Sequence, residues 1–284
     1  MDEGVVMKIR KRVLPAGWYP STARDCEFDI RNFVNGYNPP DGKWIAGIAP
    51  HAGWYFSGRP AARVLKALAT NNDPDITVVF GGHLPAGHPP IVYTEDAWET
   101  PFGNLTMDAR FAKEIMAQTQ AVAAPETFGD NTVEIQLPFV KWFFPKSRLI
   151  AAHSPASMSS ESFAKTLCAL INQREMTAVF LGSADLTHYG RNYDFSPKGT
   201  GIEAVEWVRN VNDKSLIDKA LAMNALGVLD DSRELHNTCS PGPIISAMTC
   251  ASIHESKGGF LIDYFTSYDV MPGSSFVGYA AIVY

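Results

Sequence analysis

The stretch ITVVFGGH, residues 76 to 83, is an unbroken apolar run that ends abruptly in two glycines and a histidine. β-Branched and aromatic residues without polar alternation are typical of a strand that is buried on both faces of a sheet. Three other stretches have the same character: KWIAGIAP at 43–50, RLIAAHSP at 148–155 and MTAVFLGSADLTHYG at 176–190. The sequence therefore predicts a central sheet of buried strands.

Helical patterns separate these strands. Amphipathic segments are found at residues 59–70, 108–122 and 161–173, from about Gly201 to Leu229, and from about Ser240 to His254. Alternation of buried strands with helices predicts a three-layer α/β fold with a mostly parallel or mixed central sheet. The last apolar segments, 259–270 and 274–284, read as strands joined by a turn at 271–274, so part of the sheet should be antiparallel. No linker or repeat interrupts the pattern, which favours one domain over residues 1–284.

Charge and composition argue against several classes of protein. The 284 residues carry a formal net charge of −6 with 46% hydrophobic residues. The basic cluster KIRKR at 8–12 is expected to be a solvated segment, so no nucleic-acid-binding face is predicted. No apolar run approaches the ~20 residues that cross a bilayer, and no signal-peptide core is present, so we expect a cytoplasmic protein that does not engage membranes.

Four predicted strands run out into histidines: His51, His83, His153 and His188. Ligands of open α/β sheets bind beyond the carboxyl ends of the strands, where these side chains would meet. Each histidine could instead be a structural residue at a strand end, and this alternative is favoured for His153. His51 and His83 are the preferred ligand candidates, because each lies beside glycine after a wholly apolar run.

Two imidazoles leave a metal site incomplete, and Cys239 in NTCSPGPI is the best third candidate. Of the four cysteines, none falls in a CxxC pair, and Cys168 and Cys250 lie in helical core patterns. Ser240 can cap the following helix, and the positive end of that helix would favour a Cys239 thiolate. The alternative is a small residue packed at a helix start.

Asp185 and His188 in SADLTHYG form a further candidate pair. His188 could transfer protons while Asp185 orients it or a substrate. An Asx turn after the strand, with Asp185 serving the backbone, explains the spacing equally well.

Several motifs together resemble the MEMO family, whose bacterial and archaeal members are often labelled AmmeMemoRadiSam system protein B. They are LPAGWYPS at 14–21, PHAGWYFSG at 50–58, GGH at 81–83, VEIQLPF at 133–139, GSADLTHYG at 182–190 and NTCSPGPI at 237–244. They occur in the family's order from about Pro15 to Tyr284, and PHAGWYFSG is quite specific.

The resemblance implies a fold like that of the class III extradiol dioxygenases, which are LigB-like α/β proteins. Those enzymes hold non-haem Fe(II) with two histidines and a glutamate. In the MEMO family a cysteine takes the place of the carboxylate, which assigns the metal ligands to His51, His83 and Cys239. His188, with Asp185 beside it, would correspond to the dioxygenase acid/base.

The same resemblance carries over a binding pocket with one departure. Members commonly have Glu-His-Ser before the LPF segment, whereas this chain has Asp130, Asn131 and Thr132. Asn131 thus replaces a pocket histidine, while Glu134 still matches, and both are expected to contact substrate.

The expected function depends on which metal these three side chains bind and on which molecule binds beside it. Because thiolate is softer than carboxylate, the site favours iron, copper or zinc over magnesium or calcium. The resemblance makes Fe(II) the first expectation, which implies a redox enzyme that acts on a small molecule. Copper is its competitor, and zinc would indicate hydrolysis.

Two alternatives come from the resemblance. One is a non-catalytic module for peptides or phosphotyrosine-type peptides, with Trp54, Tyr55 and Phe56 in its groove, although such aromatics are more often core or pocket wall. The other is a partner in a radical-SAM-linked modification system that includes AMMECR-type proteins, which genome neighbourhood would test.

Overall fold

The computed structural model describes residues 7–126 and 128–284. Its strands are β1 (Ile9–Arg10), β2 (Ala46–Ala49), β3 (Ile76–Gly81), β4 (Ile91–Val92), β5 (Ala97–Thr100), β6 (Gly103–Thr106), β7 (Val122–Ala123), β8 (Arg148–His153), β9 (Ala178–Ser183), β10 (His188–Tyr189), β11 (Phe260–Thr266) and β12 (Phe276–Val283). Its α-helices are α1 (Ala23–Phe33), α2 (Trp54–Ala69), α3 (Ala109–Gln118), α4 (Asn131–Glu134), α5 (Leu137–Phe143), α6 (Ser159–Gln173), α7 (Ile202–Trp207), α8 (Asp213–Leu221), α9 (Ala225–Glu234), α10 (Pro241–Ile253) and α11 (Ser267–Val270).

The strands form a mixed nine-stranded sheet in the order β10-β12-β2-β9-β3-β8-β4-β7, with β11 also paired to β12. Its centre is parallel, because β9 pairs in parallel with both β2 and β3, and β3 pairs in parallel with β8. On one side β12 is antiparallel to β2, and on the other β4 is antiparallel to β8. The carboxyl ends of β2, β3, β8 and β9 therefore meet at one edge.

Helices cover both faces of this sheet, which confirms the predicted three-layer α/β fold. Alternate residues of one strand enter different cores: Val78 and Phe80 pack with α6 and α10, whereas Val79 packs with α1, α2 and α5. This explains the unbroken apolar run of ITVVFGGH, since no face of β3 is solvated.

Two predicted segments are divided by local capping. Met223 has φ of 55° between α8 and α9, and Asn224 then caps α9 by accepting a hydrogen bond from the Gly227 N–H. Near the chain end, Thr266 and Asp269 form a capping box that starts α11. A short helix therefore precedes the predicted turn between the antiparallel strands β11 and β12.

The basic cluster near the start contains a buried residue, so the expectation of a solvated segment is wrong for Arg10. Arg10 is only 6% exposed and forms an ion pair with Glu95 at 2.5 Å. Its guanidinium lies over the rings of Tyr93 and Trp98. It anchors β1 in a separate three-stranded sheet with β5 and β6.

Among the described residues, no helix has both the length and the apolar character needed to cross a bilayer.

Candidate metal centre

The parallel strands bring two of the predicted histidines together. His51 follows β2 and His83 follows β3, and their ring centroids lie 5.2 Å apart in an edge-on arrangement. The His83 segment needs glycine, because Gly82 has φ of 97° and a Cβ there would lie 2.6 Å from the His153 side chain. A Cβ at Gly81 would lie 2.3 Å from the Thr132 hydroxyl.

Cys239 completes a three-residue cluster, although it lies far along the chain from both histidines. One ligand atom from each of His51, His83 and Cys239 lies within 4.8 Å of the others. The Cys239 Sγ is 3.3 Å from the His51 Nε2. Cys239 precedes α10, whose N-cap is Ser240, but the Ser240 side chain makes no capping hydrogen bond, contrary to the expectation from sequence.

The electrostatics of the cluster favour a thiolate between two imidazolium rings in the metal-free protein. Burial by itself raises the pKa of Cys239, but the charge and hydrogen bond of His51 outweigh it and hold that pKa well below its usual range. Burial lowers the pKa of His51, yet Asp185 and the Cys239 thiolate raise it to about 9. The pKa of His83 likewise rises to about 10, against burial, through Asp130 and Cys239. The imidazoles of His51 and His83 are therefore what lowers the pKa of Cys239.

Asp185 lies between His51 and the next candidate, His188. Its Oδ1 accepts a 2.7 Å hydrogen bond from the His51 backbone N–H, and its Oδ2 lies 3.8 Å from the His188 Nε2. Although burial opposes ionisation, the His51 charge and the His188 contact lower the pKa of Asp185. Contact with Asp185 also raises the pKa of His188 against burial. Asp185 therefore joins two histidines instead of serving only a local turn.

His153 has the structural setting that the sequence favoured. It is fully buried at the end of β8, and its Nε2 lies 3.0 Å from the Tyr93 hydroxyl. Burial lowers the pKa of His153 to about 4.

A cavity of about 430 Å³ adjoins two members of the cluster, His51 and His83. It is lined by Trp18, His51, Ala52, Gly53, Phe56, His83, Asn131, Asp185, His188, Tyr193, Ser267, Met271, Ser275, Val277 and Tyr279. Its lining combines polar side chains with aromatic and aliphatic ones, and neither lysine nor arginine is among these residues.

Of the residues expected to contact substrate, Asn131 lines this cavity, where its Nδ2 donates to the His51 carbonyl at 3.1 Å. Glu134 instead lies buried beneath it and accepts hydrogen bonds from the Val13 and Leu14 backbone and from the Tyr19 hydroxyl. These hydrogen bonds fix the N-terminal segment. Glu134 is not among the residues that line the cavity.

The aromatic trio is also divided. Trp54 is 3% exposed and stacks on Phe139 with ring centroids 4.1 Å apart, which places it in the core. Tyr55 is 70% exposed and does not line the cavity, whereas Phe56 does. We expected all three in one groove, but PHAGWYFSG contains the first turn of α2, in which successive side chains point in different directions.

Other cavity residues were not predicted. Tyr193 stacks on His188 with centroids 4.8 Å apart, and Met271 follows α11. Both lie in short irregular segments that carry no periodicity, so no sequence signal pointed to them. Ser183, at the end of β9, has its Oγ 3.3 Å from the His51 Nδ1.

Fold and site together define an α/β protein in which two imidazoles and a thiol meet at the carboxyl edge of the parallel strands. The chain belongs to the MEMO family, since the model of that family, described as Memo-like protein, matches residues 10–283. A MEMO1 family protein of Pyrococcus horikoshii is 30% identical over 250 residues, covering 84% of this chain and 86% of the relative. A MEMO1 family protein of Thermococcus onnurineus is 28% identical over 289 residues, covering 97% and 99%.

A solved structure supports the fold alone. The crystal structure of an uncharacterized protein from Escherichia coli K12 superposes with a TM-score of 0.51 at 11% identity. The match covers 78% of this chain and 91% of that one.

Proposed function

We propose that this protein is a metal-dependent redox enzyme with a single ion bound by His51, His83 and Cys239. The observation that carries the proposal is the convergence of these ligand atoms within 4.8 Å of one another. The donor set fits a metal, because an ionised thiolate and imidazole nitrogens are the ligand forms that transition metals require. Three protein ligands leave positions for exogenous ligands, as in catalytic sites.

Fe(II) is the favoured metal in this proposal, with copper and zinc as alternatives. One soft thiolate with two imidazoles suits all of these metals better than magnesium or calcium. Bound iron or copper would supply one-electron and O₂ chemistry, whereas zinc would supply an activated water for hydrolysis.

His188 and Asp185 are proposed to handle protons at this site. His188 lines the cavity and is 31% exposed at its side chain, so it can reach a bound molecule. Asp185 is buried and contacts the His188 ring, and this contact raises the pKa of His188 against the effect of burial. His188 is therefore assigned as the general acid, and as the base after it has given up its proton.

The ligand is proposed to be a small molecule with an apolar body, not a phosphopeptide. Arginine and lysine are the usual phosphate-binding side chains, and neither is among the cavity-lining residues, whose histidines are already assigned to the metal and to proton transfer. The aromatic and aliphatic walls suit an apolar body, and Asn131 can donate or accept a hydrogen bond.

A cytoplasmic location belongs to the same proposal. All four cysteines are free, and Cys239 must remain reduced to act as a ligand.

The metal is tested by purifying the protein without oxygen, loading it with Fe(II), and measuring bound metal by elemental analysis. His51→Ala and Cys239→Ser should lose stoichiometric iron, while the control His88→Ala, which changes a histidine outside the cavity, should retain it. Binding by His51→Ala as tight as wild type would remove His51 from the site.

Activity is tested by O₂ consumption with catechols and other neutral aromatic compounds. Wild type should consume O₂ with at least one of them, and His188→Gln should reduce the rate while keeping the metal. Saturable binding of a tyrosine phosphopeptide by a fully metallated protein that turns over no substrate would instead support the peptide-binding module.

A further inference from the structure

A partly buried carboxylate lies beside one of the two imidazoles of the cluster. The Asp130 Oδ2 is 3.5 Å from the His83 Nδ1, and the side chain of Asp130 is only 12% exposed. We infer that Asp130 is a positioning residue, which orients His83 and directs its Nε2 lone pair towards the site. The inference rests on the proposed metal centre and adds a residue that acts through His83.

Asp130 is itself held in place, which a positioning residue requires. Its Oδ1 accepts a 2.8 Å hydrogen bond from the Thr132 N–H as the N-cap of α4, and another from the Thr132 hydroxyl. That hydroxyl accepts a 2.7 Å hydrogen bond from the Gly82 N–H. The carboxylate and the backbone preceding His83 are thus fixed to the same threonine.

A second buried contact limits the rotation of the carboxylate. The Asp130 Oδ1 lies 3.8 Å from the Nε2 of His153, which is fully buried and adjoins the Tyr93 hydroxyl. With Oδ1 occupied by Thr132 and close to His153, Oδ2 is the oxygen left to face His83.

The two imidazoles of the cluster are oriented by different chemistry. The His51 Nδ1 faces a neutral hydroxyl, that of Ser183, at 3.3 Å, whereas the His83 Nδ1 faces a carboxylate. A carboxylate partner fixes the Nδ1–H tautomer and makes the other nitrogen a better donor to a metal. Loss of such a partner typically lowers metal affinity 10–100-fold.

The test compares wild type with Asp130→Asn, Asp130→Glu and the control Asp73→Asn, which changes an exposed carboxylate before the opposite end of β3. Zn(II) affinity is measured by competition with a chromophoric chelator. Asp130→Asn should bind roughly 10–100-fold more weakly. Asp130→Glu, which keeps a carboxylate, should recover part of the loss, and the control should match wild type. Equal affinity of Asp130→Asn and wild type, or no recovery in Asp130→Glu, would overturn the inference.

A second measurement needs no metal. Proton NMR of the metal-free protein should show a downfield His83 Nδ1–H resonance, as expected for an imidazole bound to a carboxylate, and Asp130→Asn should remove it. If wild type lacks this resonance, the positioning role is refuted whether or not metal binds. If the resonance is present and wild type binds none of Fe(II), copper and Zn(II), the metal centre fails while the contact between Asp130 and His83 stands.

Discussion

Asp213 should make the protein less stable as the pH rises through 6. This carboxylate is fully buried at the start of α8, where it accepts hydrogen bonds from the Thr187 backbone and hydroxyl and from the Tyr264 hydroxyl. Burial raises the pKa of Asp213 from its ordinary value of 3.8 to about 6, although these hydrogen bonds oppose the rise. Between these two values the folded state binds more protons than the unfolded state.

The stabilising contribution of Asp213 is therefore complete below pH 3.8 and is lost as the pH rises through about 6. A rise of about two pKa units corresponds to about 3 kcal/mol in the free energy of unfolding. Asp213→Asn keeps the shape and a hydrogen-bonding oxygen but cannot titrate, so it should lack this contribution to the pH dependence.

The assay is urea unfolding of metal-free wild type and Asp213→Asn from pH 4 to 7.5, with the exposed Asp230→Asn as control. The unfolding free energy of wild type minus that of Asp213→Asn should fall by up to about 3 kcal/mol across this range. A difference that stays flat or grows with pH would refute the reasoning. Such a result would mean that Asp213 is charged in the folded protein under acidic conditions.

Three further substitutions test the packing around the site and the N-terminal strand, each by urea unfolding. Gly82→Ala should destabilise by about 1–3 kcal/mol, because φ is 97° and the new Cβ meets a buried histidine; a change within about 0.5 kcal/mol would contradict this. Trp54→Ala should cost about 3–5 kcal/mol, and the exposed Tyr55→Ala less than about 0.5; similar costs would show that the two aromatics are not divided between core and surface. Arg10→Met should cost about 3–5 kcal/mol by leaving a partly buried glutamate unpaired, whereas Lys11→Met, at a 73% exposed side chain, should change little.

The fold was predictable because its signals are local and strong. Buried parallel strands need apolar residues on both faces, and β3 shows this over its whole length. The carboxyl-edge rule then placed His51 and His83 together without any knowledge of strand order. The helix break at Met223 and the capping box at Thr266 were not predicted, since both depend on conformations that weak propensities do not determine.

Only part of the site could be predicted from the sequence, and the reason is physical. Cys239 was identified from its place at a helix start and from the family resemblance, since it has no fixed spacing from either histidine and α10 brings it to them only through packing against β2 and β9. Asp130 is close to His83 because α4 packs on β3, a contact that no sequence period encodes. Residues that act through another side chain are therefore the ones that sequence reasoning misses.

The residues that would bind the metal and the residues that would select the substrate lie in different parts of the fold. The candidate ligands are fixed to the ends of β2 and β3 and to the start of α10, so their arrangement depends on the core. The cavity walls include Tyr193 and Met271, which lie in short connecting segments that can change without disturbing that core. A Tyr193→Ala substitution should therefore alter which compounds bind while leaving the affinity for the proposed metal unchanged. A loss of metal affinity as large as the loss of compound binding would instead show that Tyr193 supports the metal ligands.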